Sequence, residues 1–308
     1  MSEPSDFVAR LRGEQQAPGR EEALRLDRLA RRRRVLLAVG AAVLGLAVVG
    51  GWIVSSTGER PDEEPYAPQA LDEAMWPPQW PATVRMPFRG SPSAAWADGV
   101  AGIDLPASEA VGALTSEQVG DVLRKTRGLL VESNLTPRVV SGGQPDAEVE
   151  KVLAQPGDGN GPLRFFTRFD PDEVMLHGTV IKTRGSMTYE ASPADELVVH
   201  TDYTFVYPLV KVSGGTEVVP GVEEVTRVVV RRRLDLVASA DGRLAVREAQ
   251  WRAANDDCRV PEDGYLHPLF SKERAKAPKW PTLDPYDTGV QLAGKGSSSR
   301  ECATPKQT

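Results

Sequence analysis

The chain has 308 residues, with 37 Lys and Arg against 43 Asp and Glu and a formal net charge of −6, and that length accommodates one or two domains. The charge is uneven: residues 1–34 hold nine Arg against six acids, and everything after them holds 28 basic against 37 acidic side chains. An acidic body of this kind argues against a nucleic-acid partner and against broad adhesion to anionic lipid.

The basic arm, residues 1–34, ends in Arg31-Arg32-Arg33-Arg34. Residues 35–54 follow without a charge and with one aromatic, Trp52. As a helix this stretch rises about 30 Å, the thickness of a bilayer's hydrocarbon core. Arginine is retained on the cytoplasmic side, and Glu59, Asp62, Glu63 and Glu64 lie past the far end. The pattern predicts a transmembrane helix over 35–54 with the lipid bilayer as its partner. The N-terminus stays inside and the C-terminal domain is extracytoplasmic. A cleaved signal peptide fits less well, because its apolar region usually runs about 7 to 15 residues and no clear A-x-A site follows here. Ala41-x-x-x-Gly45 and Ala47-x-x-x-Gly51 are small-x-x-x-small pairs of the kind that let two helices approach.

Residues 55–83 are rich in proline and acids and read as a spacer, with Trp76 and Trp80 expected to dock onto the domain beyond it. That domain is expected over 84–270, with a tail over 271–308. Thr115 and Gln118 form a capping-box pair, and Val119, Val122, Leu123, Thr126 and Leu130 then recur at helical spacing. Pro137 and Gly142-Gly143 interrupt, and Pro145 opens a second helix that turns Val149, Val152 and Leu153 inward.

From 163 to about 253 the chain reads as strand. One strand spans 174–183 and continues through Tyr189 with a bend at Gly185. In the next, Leu197, Val199, Thr201, Tyr203, Phe205 and Tyr207 share a face by the two-residue period. Thr226, Val228, Val230, Leu234 and Leu236 do the same in the third, with Arg232 the odd member. Asp241-Gly242 predicts a type I′ hairpin, after which Ala245, Ala249 and Trp251 share a side with Arg247.

The expected fold class is therefore α+β: two helices packed on a curved antiparallel sheet of about four to five strands. In this element order, over roughly 84–270, the chain resembles the NTF2-like (cystatin-like) superfamily. The resemblance implies a cone-shaped domain used either as an enzyme with an acid/base residue in its pocket or as a binding or assembly module whose pocket is filled.

Motifs for chemistry are sparse. His177, His200 and His267 lack zinc-site spacing, so no metal is expected, and no phosphate loop, nucleophile elbow or cofactor motif is present. Asp256-Asp257 places two acids side by side, where repulsion would raise one pKa. Cys258 and Cys302 both fall on the exported, oxidising side and are expected to form a disulfide, with free or intermolecular thiols as the alternative. Arg227, Arg231 and Arg233 share a strand face with Asp235. They read either as a charged solvent face, paired across strands with Asp202 or Glu248, or as a binding strip for an anionic partner. The function expected is that of a single-pass protein of a bacterial cell envelope whose exported domain is a binding or assembly module. Its partner is expected to be another envelope protein or an anionic envelope polymer. The alternative is an exported enzyme with His200 and Asp202 as its acid/base pair.

Overall fold

The structure is a computed structural model, and it describes residues 82–153, 161–193, 196–213, 217–218, 224–239, 241–290, 292 and 303–306. The chain divides into two units at residues 69 and 70, and the described residues all belong to the second. The predicted arm, membrane span and nearly all of the spacer lie outside the described residues. Among the described residues no helix is long and apolar enough to cross a membrane.

The expectation of two helices on four to five strands is not met. The domain is mostly sheet: seven antiparallel strands in the order β1 (Ala97–Asp98), β3 (Lys182–Ala191), β4 (Leu197–Ser213), β6 (Val225–Ala238) and β7 (Leu244–Ala254), with β2 (Val174–Leu176) and β5 (Glu217–Val218) also pairing with β4. The extra strands come from the length of β4. At 17 residues it takes β3 along 197–206 and β2 along 209–211, so the single strand expected over 174–189 is two, separated where the chain leaves the ladder at Gly178. The sheet thus exceeds, and the helices fall short of, what the NTF2-like resemblance implies.

One long helix, α1 (Ser116–Asn134), starts at the predicted capping box: Thr115 Oγ1 accepts from Gln118 N at 3.3 Å and Gln118 Oε1 accepts from Thr115 N at 2.8 Å. Its Val119, Val122, Leu123 and Leu130 are all but inaccessible to solvent. The other helices are short because proline and glycine punctuate the sequence: α2 (Pro137–Val140) is a single turn, and α3 (Ala147–Leu153) follows Pro145 and buries Leu153.

These helices cover one face of the sheet. Leu197, Val199, Tyr203, Phe205 and Tyr207 from β4 meet Val228, Val230, Leu234 and Leu236 from β6 in one apolar core. Each such side chain contributes about 2 kcal/mol by leaving water. Gly185 is a point of close approach, since a Cβ there would stand 2.3 Å from the Asp202 carbonyl oxygen and 2.4 Å from the Tyr203 ring.

The hairpin between β6 and β7 forms, although its turn is not type I′. Ser239 N donates to Arg243 O at 3.1 Å, and Gly242 adopts φ +74 while Asp241 does not enter the left-handed region. Beyond it, β7 carries a bulge: Asp235 pairs with Glu248 but Leu236 with Val246, so Arg247 is the extra residue. Both Arg247 and Glu248 therefore meet Asp235 on the other face, and Val246, not Ala245, enters the core.

The opposite face is also partly covered. Phe88 and Trp96 from the N-terminal segment and Leu283 and Tyr286 from the C-terminal segment pack on Val206, Val229 and Ala254. Much of the expected tail is therefore part of the domain. It contains α4 (Ser271–Lys276), β8 (Thr282–Leu283) and β9 (Thr304–Pro305), and the last two pair in parallel.

Candidate functional site

The polar residues singled out in the sequence gather on the face of the sheet away from α1. Even-numbered residues of β4 and odd-numbered residues of β6 point there, and the register sets His200 opposite Asp235 and Asp202 opposite Arg233. His200 Nδ1 shares a hydrogen bond with Asp235 Oδ1 at 2.8 Å, and its Nε2 lies 3.4 Å from Glu190 Oε1. Both ring nitrogens thus have carboxylate partners. Asp202 belongs to a different pair: Arg231 Nε and Nη2 donate to its two carboxylate oxygens at 2.8 and 2.7 Å. His200 and Asp202 share a face but have different partners, and both carboxylate oxygens of Asp202 are taken up by the Arg231 fork.

The arginines are not a uniform strip. Arg227 is 4 % exposed and its Nη1 donates to the carbonyls of Pro87 and Arg89, both at 3.0 Å. Arg231, 8 % exposed, donates beyond Asp202 to the carbonyls of Val290 at 2.6 Å and Thr288 at 2.7 Å. Its guanidinium is held above its usual pKa by the hydrogen bond to Asp202, against a smaller opposing effect of burial. Both side chains thereby fasten the N- and C-terminal segments across the sheet. Arg233 is exposed and, with Asp235, Glu248 and Gln250, lines a polar depression of about 210 Å³.

The α1 side of the sheet contains a buried cation that the sequence flagged only as an odd member of an apolar row. Arg232 has no accessible surface. Its Nε donates to Asn134 Oδ1 at 2.9 Å, Nη1 to the carbonyls of Leu163 (3.0 Å) and Arg164, and Nη2 to Thr167 Oγ1 at 3.3 Å. The guanidinium carbon stands 5.8 Å from the centre of the Trp251 ring. Burial without a carboxylate pulls its pKa down to about 10. Nearby, burial first and the charge of Asp104 second push Tyr203 up to about 12, and its phenol oxygen has no hydrogen-bond partner among the described residues. The α1 side of the sheet is thus occupied by Arg232 and three aromatic rings, with Tyr203–Phe205 and Phe205–Tyr207 centroids 6.4 and 6.5 Å apart.

A roomier cavity lies elsewhere. A groove of about 690 Å³ runs between α1, α3 and the β6–β7 hairpin, with Leu129, Val149, Val152 and Leu244 as its apolar lining and Lys125 and Glu132 among its rim charges.

The remaining candidates have structural partners. His177 Nε2 is 2.6 Å from Val84 O. Asp256 Oδ1 accepts from His267 N at 2.7 Å, while Asp257 is held below the usual carboxylate range by its hydrogen bonds with Arg259, so the expected repulsion between these two acids does not raise Asp257. Among the described residues no group of His, Cys, Asp and Glu is arranged to hold a metal ion. Cys258 is among the described residues and Cys302, its expected partner, is not, so the expected bridge lies outside them.

His267 joins two loops, with Nδ1 at 2.9 Å from Glu173 Oε2 and Nε2 at 3.2 Å from Asp263 Oδ1. Burial lowers its pKa, but the hydrogen bonds and charges of the two carboxylates outweigh that and leave it raised. A raised folded-state pKa means stability that is fully present below the ordinary value of 6.5 and is lost as pH rises through the folded value. Asp263 is shifted down, so its share is lost as pH falls through its own folded pKa. Denaturation midpoints should therefore decline from mildly acidic pH towards alkaline pH, and His267→Gln should flatten that decline. An unchanged slope in the variant would remove His267 as its source.

No family model, curated protein or solved structure matches the chain.

Proposed function

We propose that this domain is a binding or assembly module, held at the cell membrane by the segment 35–54 and the spacer after it, and exposed on the outer side. One observation carries the reading: the α1 side of the sheet is filled by Arg232 and aromatic rings, while a separate groove, lined in part by the half-buried Val149, Val152 and Leu244, lies between α1, α3 and the β6–β7 hairpin. The engagement of both His200 nitrogens and of Asp202 supports the same reading over an enzyme. Of the two expected partners, an envelope protein suits the site better than an anionic polymer. The groove rim carries both signs of charge, and of the three arginines only Arg233 is exposed.

A photoreactive residue at Val152 of the full chain, activated in intact cells, should yield one discrete adduct. The same residue at the exposed Glu117 should not. Equal or absent labelling would overturn the groove as the binding site. Protease added outside the cells should degrade the domain, and protection would overturn the orientation.

A further inference from the structure

β3 is an edge strand with an open side. Its only neighbour besides β4 is the two-residue β1, which occupies Lys182 and Thr183 and leaves Arg184 to Ala191 without a partner strand among the described residues. The phase of the free backbone groups follows from β1. Gly99 N donates to Ile181 O at 2.7 Å and Ala97 pairs with Thr183, so odd-numbered residues of β3 direct their N–H and C=O groups outward. Gly185, Met187 and Tyr189 therefore each turn a backbone donor and acceptor to this edge that have no backbone partner there among the described residues. No proline, no lysine and no register break interrupts 184–191; its charges are Arg184 and Glu190, and the 107–109 segment touches it at the Tyr189 hydroxyl, which donates to Ala107 O at 2.7 Å and accepts from Glu109 N at 2.8 Å.

The sequence of this edge is complementary to itself when reversed. Two copies related by a two-fold axis through Met187 would pair Met187 with Met187, Gly185 with Tyr189, Ser186 with Thr188 and Arg184 with Glu190. Odd residues then meet odd residues, as the outward backbone groups require. Arg184 and Glu190 both point to the exposed polar face, so the register forms two symmetry-related ion pairs. It also sets Tyr189 beside Gly185, the one position with no side chain. A two-residue slip towards β1 is blocked because Thr183 is already paired, and a slip the other way sets Glu190 opposite Ser186 and loses the ion pairs.

We infer that two copies of this chain associate through antiparallel pairing of β3 over residues 185–189, forming one sheet continuous across both domains. The occupant of the edge is a second copy because the charge pattern fits its own reverse. This goes beyond the binding reading above and does not depend on it, since the groove lies at α3 and β7.

The test uses full-length chains co-expressed with two different tags. Ser186→Cys in one and Thr188→Cys in the other should crosslink on mild oxidation, because these residues face one another in a non-hydrogen-bonded pair. Ser186→Cys with itself, and the exposed helix pair Glu117→Cys with Asp121→Cys, should not. A charge swap provides the second arm. Arg184→Glu or Glu190→Arg alone should weaken self-association in detergent by roughly tenfold, and the double variant should restore it. Each single change also disturbs a local contact, Arg184 over Trp96 at 5.8 Å or Glu190 with His200, but only a pairing between copies predicts the rescue. Crosslinking no greater than in the helix control, or a double variant as weak as the singles, would overturn the proposal.

Discussion

Arg232→Ala should lower the stability of this domain by about 4 kcal/mol, and Arg232→Met by about 2 kcal/mol, in denaturant titrations of the purified chain. The two substitutions separate the cation's contributions. Holding a guanidinium where it has no accessible surface and no carboxylate beside it is costly, as its depressed pKa records. Methionine removes that cost and keeps volume beside Trp251, but leaves the carbonyls of Leu163 and Arg164 without their donor. Asn134 Oδ1 keeps its bond from Thr167 Oγ1 at 2.9 Å, so the loss falls on the 163–167 loop. Alanine adds a cavity between α1 and the sheet. A methionine variant as stable as the parent would mean that these hydrogen bonds only offset the desolvation of the charge.

The same residue marks where reading the sequence succeeds and where it stops. The two-residue period of β4 and β6 is a local property, so the apolar face formed by Leu197 to Tyr207 and Val228 to Leu236 was legible, with Arg232 in phase with it. Its burial was not, because the partners that satisfy it lie 65 to 98 residues away. Arg227 and Arg231 were correctly placed on the opposite face, yet they are buried under segments 57 to 140 residues distant. Strict alternation also failed at the bulge, where one extra residue in β7 moved Arg247 from the Trp251 side to Asp235. The helical share was overestimated because proline and glycine after α1 admit only short helices, while β4 is long enough to pair with two strands end to end along one edge.

Replacing Cys258 and Cys302 by serine should cost about 4 kcal/mol if the two are joined, the chain-entropy value for closing a loop of roughly 45 residues. The described residues on either side support the pairing. Thr304 N donates to Pro281 O at 2.9 Å and Lys306 N to Leu283 O at 2.8 Å, so the chain two residues after Cys302 is fixed against β8. Arg259, next to Cys258, lies 6.0 Å from the centre of the Trp280 ring, two residues before β8 begins. The loop so closed includes the 288–290 carbonyls that hold Arg231, which gives the bridge a local consequence besides its effect on the unfolded chain. Without it, β9 has only two strand residues and a short parallel pairing to keep it in place, and a strand pair of that size has little independent stability. Reduction should therefore open 277–292 to protease before the sheet unfolds, and should expose the Arg231–Asp202 pair to solvent. If both thiols of the untreated protein react with alkylating reagent, the bridge does not exist. If the double serine variant denatures at the parent's midpoint, the contacts of β8 and Tyr286 hold the segment without it.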